Sequence, residues 1–189
     1  IYLADGESEE EAERLAKKFA RIRRDEDLAS GIQTMHYQIN TLMTTNGQSP
    51  FVTIFMYVQD DDPYKDEVAD IIEEILKQRI KGIKNEVGVY ITPAFPKLVY
   101  VLDENNILKG GKYDYLTKLA VKCSAKRFYP DYISAKKMKE NYKGNVFSPM
   151  GCRAFLSPWK DENGNYKFEG RFNQGVVSLN LPQIAIIAD

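Results

Sequence analysis

KLVYVLD, residues Lys97–Asp103, is the run on which the fold turns. Leu98 to Leu102 is apolar without interruption, which suits a strand buried on both faces of a sheet. Before it, Val68, Ile71, Ile72, Ile75, Leu76, Ile80 and Ile83 recur at helical period, with Glu73, Glu74, Lys77 and Lys81 opposite. Gly82 and Gly88 bracket the helix exit, and Val89–Thr92 reads as a short extended piece. Pro63 ends the loop that opens at Asp60 and suits a helix start. Phe51–Val58, rich in β-branched and aromatic residues, reads as the preceding strand. Strand, helix and strand in alternation predict an α/β fold.

Beyond the central run, Tyr113–Phe128 reads as a third helix, with Tyr115, Leu116, Leu119, Ala120 and Cys123 on one side. Lys118, Lys122 and Lys126 share another side, either a solvated face or electrostatic help for a triphosphate. Pro130 stops this helix, and Ser134–Tyr142 forms a short basic one. Near the start, Ser8 with Glu11 three places on makes a capping-box pattern ahead of Leu15, Phe19 and Ile22. The acidic cluster Asp25–Asp27 is expected to interrupt that helix. A second periodic set, Leu28, Ile32, Met35, Ile39 and Leu42, resumes it to about Met43. His36 lies in that second stretch, read as a surface or partly buried helix residue. Thr44–Gln48 ends the helix, and Asn46-Gly47 is a strong turn signal.

Composition narrows the classes. With 26 basic and 27 acidic residues the formal net charge is −1, without the clustered basic excess that nucleic-acid binding requires. No apolar run approaches the length of a membrane span, and no signal-peptide pattern opens the chain. Two cysteines without secretory features read as reduced cytosolic thiols, and with a single histidine they leave too few ligands for a protein zinc site. No repeat or linker divides the chain, so residues 1–189 read as one unit. The first residue is isoleucine, and the apolar run Gln183–Ala188 ends abruptly, as a strand would without its neighbours; both suggest a piece of a longer protein.

The stretch Gly144–Asn180 carries the chemistry. Pro149-Met150-Gly151-Cys152 reads as a loop whose tip holds a thiol. From these residues alone, Cys152 is as readily one more small buried hydrophobe. A turn-rich segment, Asp161–Asn165, follows, and then an apolar run of strand character, Gly175–Leu181.

SPMGCRAFLSPW, GRFNQGVVSLNLPQIA, TTNGQSPF, KLVYVLD and CSAKRFYPDYIS together resemble the catalytic subunit of the anaerobic (class III) ribonucleoside-triphosphate reductases, which are glycyl radical enzymes. The resemblance runs from about Ile32 to Ile187. It implies part of a ten-stranded α/β barrel of the glycyl radical enzyme and ribonucleotide reductase type, with a cysteine-bearing finger loop inside. By resemblance, Cys152 matches the cysteine that becomes a thiyl radical, and Asn173 the asparagine that holds the ribose hydroxyls. Met150 matches the methionine of the formate-using branch. Gly151 lets the backbone pass close to a ligand, and Asn46 and Gln48 fall in a pocket-lining corner of the barrel. Phe172 departs from the asparagine that several members carry there.

The same resemblance implies reduction of ribonucleoside triphosphates, with formate as reductant. It implies dNTP and ATP effectors, a radical S-adenosylmethionine activating enzyme, a homodimer at full length and a cytoplasmic location. The nucleotide-binding cone, the second active-site cysteine, the radical-storing glycine and the zinc-binding cysteines are expected outside residues 1–189. Cys123 does not match the second catalytic cysteine and reads as structural. Two alternatives stand beside this reading: a pyruvate formate-lyase-like glycyl radical enzyme, and a non-catalytic nucleotide-binding remnant.

Overall fold

In the computed structural model, which describes residues 8–43, 45, 47–150, 154–156, 158–170 and 178–188, the KLVYVLD run lies at the centre of a parallel sheet. Strand β1 (Thr53–Met56) pairs with β4 (Lys97–Leu102), and β4 pairs with β5 (Asp131–Ser134), both in parallel. Phe55 sits opposite Val99, and Val99 opposite Asp131. The four middle residues of β4 are buried, as a strand with two covered faces requires. The α/β class is therefore as expected.

Parallel strands need long crossovers, and helices supply them. Between β1 and β4 run α2 (Lys65–Lys81) and a small antiparallel hairpin of β2 (Ile83–Lys84) and β3 (Tyr90–Ile91). The short α3 (Glu104–Ile107) and α4 (Asp114–Arg127) connect β4 to β5. Helix α4 packs on α2, and α2 on the preceding α1 (Glu9–Thr41). Met56, Ile72, Leu76, Leu98, Tyr100, Leu116, Ala120 and Cys123 form the core with their neighbours. Within α4 the buried stripe is Leu116, Ala120, Cys123 and Arg127, whereas Tyr115, expected on that side, is exposed. Lys118, Lys122 and Lys126 are solvent-exposed. After β5, Ser134 caps α5 (Ala135–Asn141) by accepting from the Lys137 amide.

Helix α1 corrects one expectation. It runs unbroken through Asp25–Asp27, where two of the three acids, Asp25 and Asp27, are paired. Arg23 bonds Asp27 one turn on at 3.1 Å, and Arg24 reaches both Asp25 at 2.8 Å and Asp70 of α2 at 3.0 Å. Paired acids at helical spacing support a helix rather than end it. Its start is as read: the Ser8 side chain accepts from the Glu11 amide.

Contacts gather into two compact units, Ile1–Val146 and Phe147–Asp189. The second holds a hairpin of β6 (Trp159–Lys160) and β7 (Tyr166–Lys167), and then α6 (Leu181–Ala188). Helix α6 is a second correction. Residues 178–180 are neither helix nor strand, and the apolar run expected to end as a strand is helical. Asn180 accepts from the Gln183 amide at 3.1 Å, and Pro182 sits in the first turn, where a missing N–H costs nothing.

Candidate functional site

The second unit holds the described residues on either side, in sequence, of the candidate Cys152. Phe147 is buried, with its ring 6.2 Å from Phe155 and 5.0 Å from Phe168. From that anchor the chain runs through Ser148 and Pro149 to Met150. There it exchanges two backbone hydrogen bonds with Ala154, at 2.9 Å and 3.0 Å. Gly151, Cys152 and Arg153 are the three residues between them and lie outside the described residues, as do Asn46 and Asn173. Of the sequence-derived candidates, Met150 is thus described as half of this bridge, and Gln48 as an exposed residue beyond α1.

The following hairpin is held by Asp161. Its carboxylate accepts from the Asn163 amide at 3.0 Å and the Asn165 amide at 2.8 Å. Gly164, at φ 80°, supplies the left-handed turn residue that a side chain would resist. Trp159 Nε1 donates to the Glu169 carbonyl at 3.2 Å, tying the strand to the residues beyond the hairpin. The expected turn at Asp161–Asn165 is this one.

In the first unit, all three strands end at one edge, where open α/β sheets place their ligand sites. Asp103 follows β4 directly, and its Oδ2 accepts from Tyr57 Oη at 2.8 Å and Lys139 Nζ at 2.9 Å. Its Oδ1 accepts from the Glu104 amide at 2.9 Å, capping α3. Partial burial raises the Asp103 carboxyl, but the Lys139 and Tyr57 hydrogen bonds outweigh it and hold the group below the usual carboxylate range. Burial first, and then the Asp103 bond, raise the Tyr57 phenol. Here a fixed anion joins three elements. Sequence reading passed over it, although Asp103 closes the KLVYVLD run at a strand's C-terminal end.

Two buried groups have settled protonation states. His36 is 3% exposed, and burial, aided by the Arg79 charge, lowers its pKa to about 4. It is more deeply buried than the sequence reading had it. Cys123 is a free thiol with no exposure; burial pushes it up to about 11, although Arg79 and Arg127 pull the other way. A thiol so held is structural, as expected, because only the thiolate is reactive. Among the described residues no group of three or more histidine, cysteine or acidic side chains is arranged to hold a metal ion.

These elements define an α/β protein with a parallel sheet, a polar cluster at the strands' C-terminal edge and a backbone bridge between Met150 and Ala154. The chain belongs to the anaerobic ribonucleoside-triphosphate reductase family, whose model matches residues 2–189. It is 44% identical over 173 residues to the anaerobic ribonucleoside-triphosphate reductase of Enterobacteria phage T4, a match covering 90% of this chain and 27% of that protein. It is also 39% identical over 175 residues to the proteins of that name from Salmonella typhimurium and Escherichia coli, covering 92% of this chain and 23% of each. The chain thus spans about a quarter of the length of these relatives. No helix among the described residues is long and apolar enough to cross a membrane.

Proposed function

We propose that this chain is the central segment of the catalytic barrel of an anaerobic ribonucleotide reductase. The enzyme converts ribonucleoside triphosphates to deoxyribonucleoside triphosphates by thiyl radical chemistry with formate as reductant. One observation carries the reading: within a chain matched to the family over residues 2–189, Cys152 falls midway between Met150 and Ala154, whose backbones bond each other. A finger loop with the cysteine at its tip is the arrangement this pairing supports.

The ribose 2′ carbon is not activated toward polar displacement, so the reaction starts at its neighbour. As a thiyl radical, Cys152 takes the hydrogen atom from the 3′ carbon, forming S–H as C–H breaks. The 2′-hydroxyl then leaves as water with an added proton. Oxidation of formate to carbon dioxide releases a proton and two electrons, which place a hydrogen on the 2′ carbon. The cysteine's hydrogen then returns to the 3′ carbon, restoring the thiyl radical. Asn173 holds the ribose hydroxyls, for an amide donates and accepts at once. Met150 and Gly151 border the reductant, and Asn46 and Gln48 the substrate. The protein contributes placement and exclusion of side reactions. The glycyl radical, which supplies the oxidising equivalent, is assigned to another part of the reductase. So are the zinc, the nucleotide-binding cone, and the contacts with the S-adenosylmethionine-dependent activase and with dNTP and ATP effectors. The full-length enzyme is a cytoplasmic homodimer.

The test is Cys152→Ser in the full-length enzyme. Serine keeps the size and most hydrogen bonding, but its O–H bond is too strong to yield the radical. The variant is expected to fold, bind nucleotide and accept the glycyl radical by electron paramagnetic resonance, yet form no deoxynucleotide. Asn173→Ala should likewise lose turnover well beyond any loss of thermal stability. Turnover by the Cys152 variant would overturn the assignment.

A further inference from the structure

Apart from the sheet edge, the first unit contains a cavity of about 360 Å³ between α1, the end of α2 and the β2–β3 hairpin. It is lined by Gln33, His36, Tyr37, Lys81, Lys84 and Tyr90 among others, and its size falls in the range of small-molecule pockets. Its charge is one-sided. Neither Lys81 nor Lys84 has a carboxylate partner among the described residues; the Lys84 ammonium instead lies 5.5 Å from the centre of the Tyr90 ring.

Behind this wall lie two more cations without carboxylates. Arg79 has no exposure and donates to the carbonyls of Pro93, at 2.7 Å, and of Pro96. Arg127 donates to the carbonyls of Ile80 and Lys81 and to Thr92 Oγ1. The nearest acids lie outside the cavity's lining: Glu74, which keeps its charge, accepts from the Gln78 amide, and Glu86 lines an adjoining groove that shares Lys84. His36, in the cavity wall, keeps a buried Nε2 with no hydrogen-bond partner, a state native proteins rarely leave unexplained.

We propose that this cavity is a phosphate site, taking a free polyphosphate or the phosphate end of a small molecule on Lys81 and Lys84. A singly charged carboxylate would leave most of the surrounding positive charge unmatched, whereas a phosphate group carries up to about two charges near neutral pH. The carbonyl end of α2 would normally repel an anion, but its Ile80 and Lys81 carbonyls are occupied by Arg127. The exposed Tyr37 and half-exposed Tyr90 side chains leave room for an attached flat group.

Calorimetric titration of the intact protein at low salt tests this, with tripolyphosphate, adenosine triphosphate and adenosine as probes. Tripolyphosphate is expected to saturate one site and to bind more weakly as salt is raised. Lys81→Ala and Lys84→Ala should each weaken it roughly tenfold, the worth of one charge-assisted contact. Lys118→Ala and Lys122→Ala, on the exposed stripe of α4, should leave it unchanged, and all four variants should keep the wild-type unfolding midpoint. Adenosine triphosphate bound more tightly than tripolyphosphate, with the same dependence on Lys84, would identify the ligand as a larger molecule held by its phosphates; equal affinity would identify the free anion. No saturable tripolyphosphate binding, or binding that Lys81→Ala and Lys84→Ala leave intact, overturns the proposal.

Discussion

His36 and Cys123 show how burial alone sets the chemistry of a residue. His36 is neutral in the folded chain because water is excluded and Arg79 is close. Its folded pKa, about 4, lies below the ordinary 6.5, so the unfolded chain binds a proton first as pH falls. Stability should therefore be intact above pH 6.5 and decline toward pH 4, by roughly 3 kcal/mol across that window. Denaturant midpoints measured against pH for the wild type and His36→Gln check this, since the variant should lose that part of the slope. For Cys123, replacement by alanine removes one fully buried sulfur. The expected cost is about 1 kcal/mol in a thermal or denaturant melt, with turnover of the full-length enzyme retained. A dead Cys123 variant beside an active Cys152 variant would reverse the roles assigned to the two thiols.

At the scale of elements, Asp103 is a carboxylate that ties several pieces of the sheet's C-terminal edge together. Asp103 ties β4 to α3 by a cap, to Tyr57 beyond β1 by a phenol and to α5 by Lys139. Asp103→Ala removes a cap worth about 1 kcal/mol, a phenol bond to a charged group worth about 1.5 kcal/mol and a solvent-screened Lys139 pair worth about 0.5 kcal/mol. A loss of about 3 kcal/mol at neutral pH is therefore expected. The sign with pH follows from the depressed carboxyl. The Asp103 contribution is complete above the unfolded carboxylate pKa and fades as pH falls through the folded one, so the wild type and Asp103→Ala should converge in acid. Chemical denaturation at pH 7 and pH 3 measures the difference. The cap is local, an aspartate side chain on the next amide, yet sequence reading did not single it out. The links to Tyr57 and Lys139 were not legible, because they join residues 46 and 36 positions away. For α1 the difference runs the other way: three consecutive acids read as a break, but Arg23 and Arg24 pair with two of them, Asp27 and Asp25.

On the scale of the molecule, the second unit exposes apolar surface. Leu179, Leu181, Ile184, Ile186 and Ile187 are each more than half exposed, Ile186 at 77%. Exposed aliphatic groups along one short helix favour association. The 189-residue chain is expected to self-associate in sedimentation velocity at high concentration, and Ile186→Lys with Ile187→Lys should shift it toward monomer. A cleanly monomeric wild-type chain would count against this. The reason differs from the one the sequence suggested, since the exposed element is a helix and not an unpaired strand edge.

Local physics was enough to determine the α/β class, the buried central strand, the amphipathic α2, the cap at Ser8 and the turn at Asp161. Each depends on period, propensity or a side chain reaching a backbone amide within a few residues. Only the tertiary structure decided that α1 runs on through its acids, that the last apolar run coils, and that Asp103 ties three elements together. It alone gathered His36, Lys81 and Lys84 around one cavity, with Arg79 and Arg127 behind its wall. Those outcomes depend on charges and polar groups brought together from distant positions, and pairing across such distances leaves no period in a sequence.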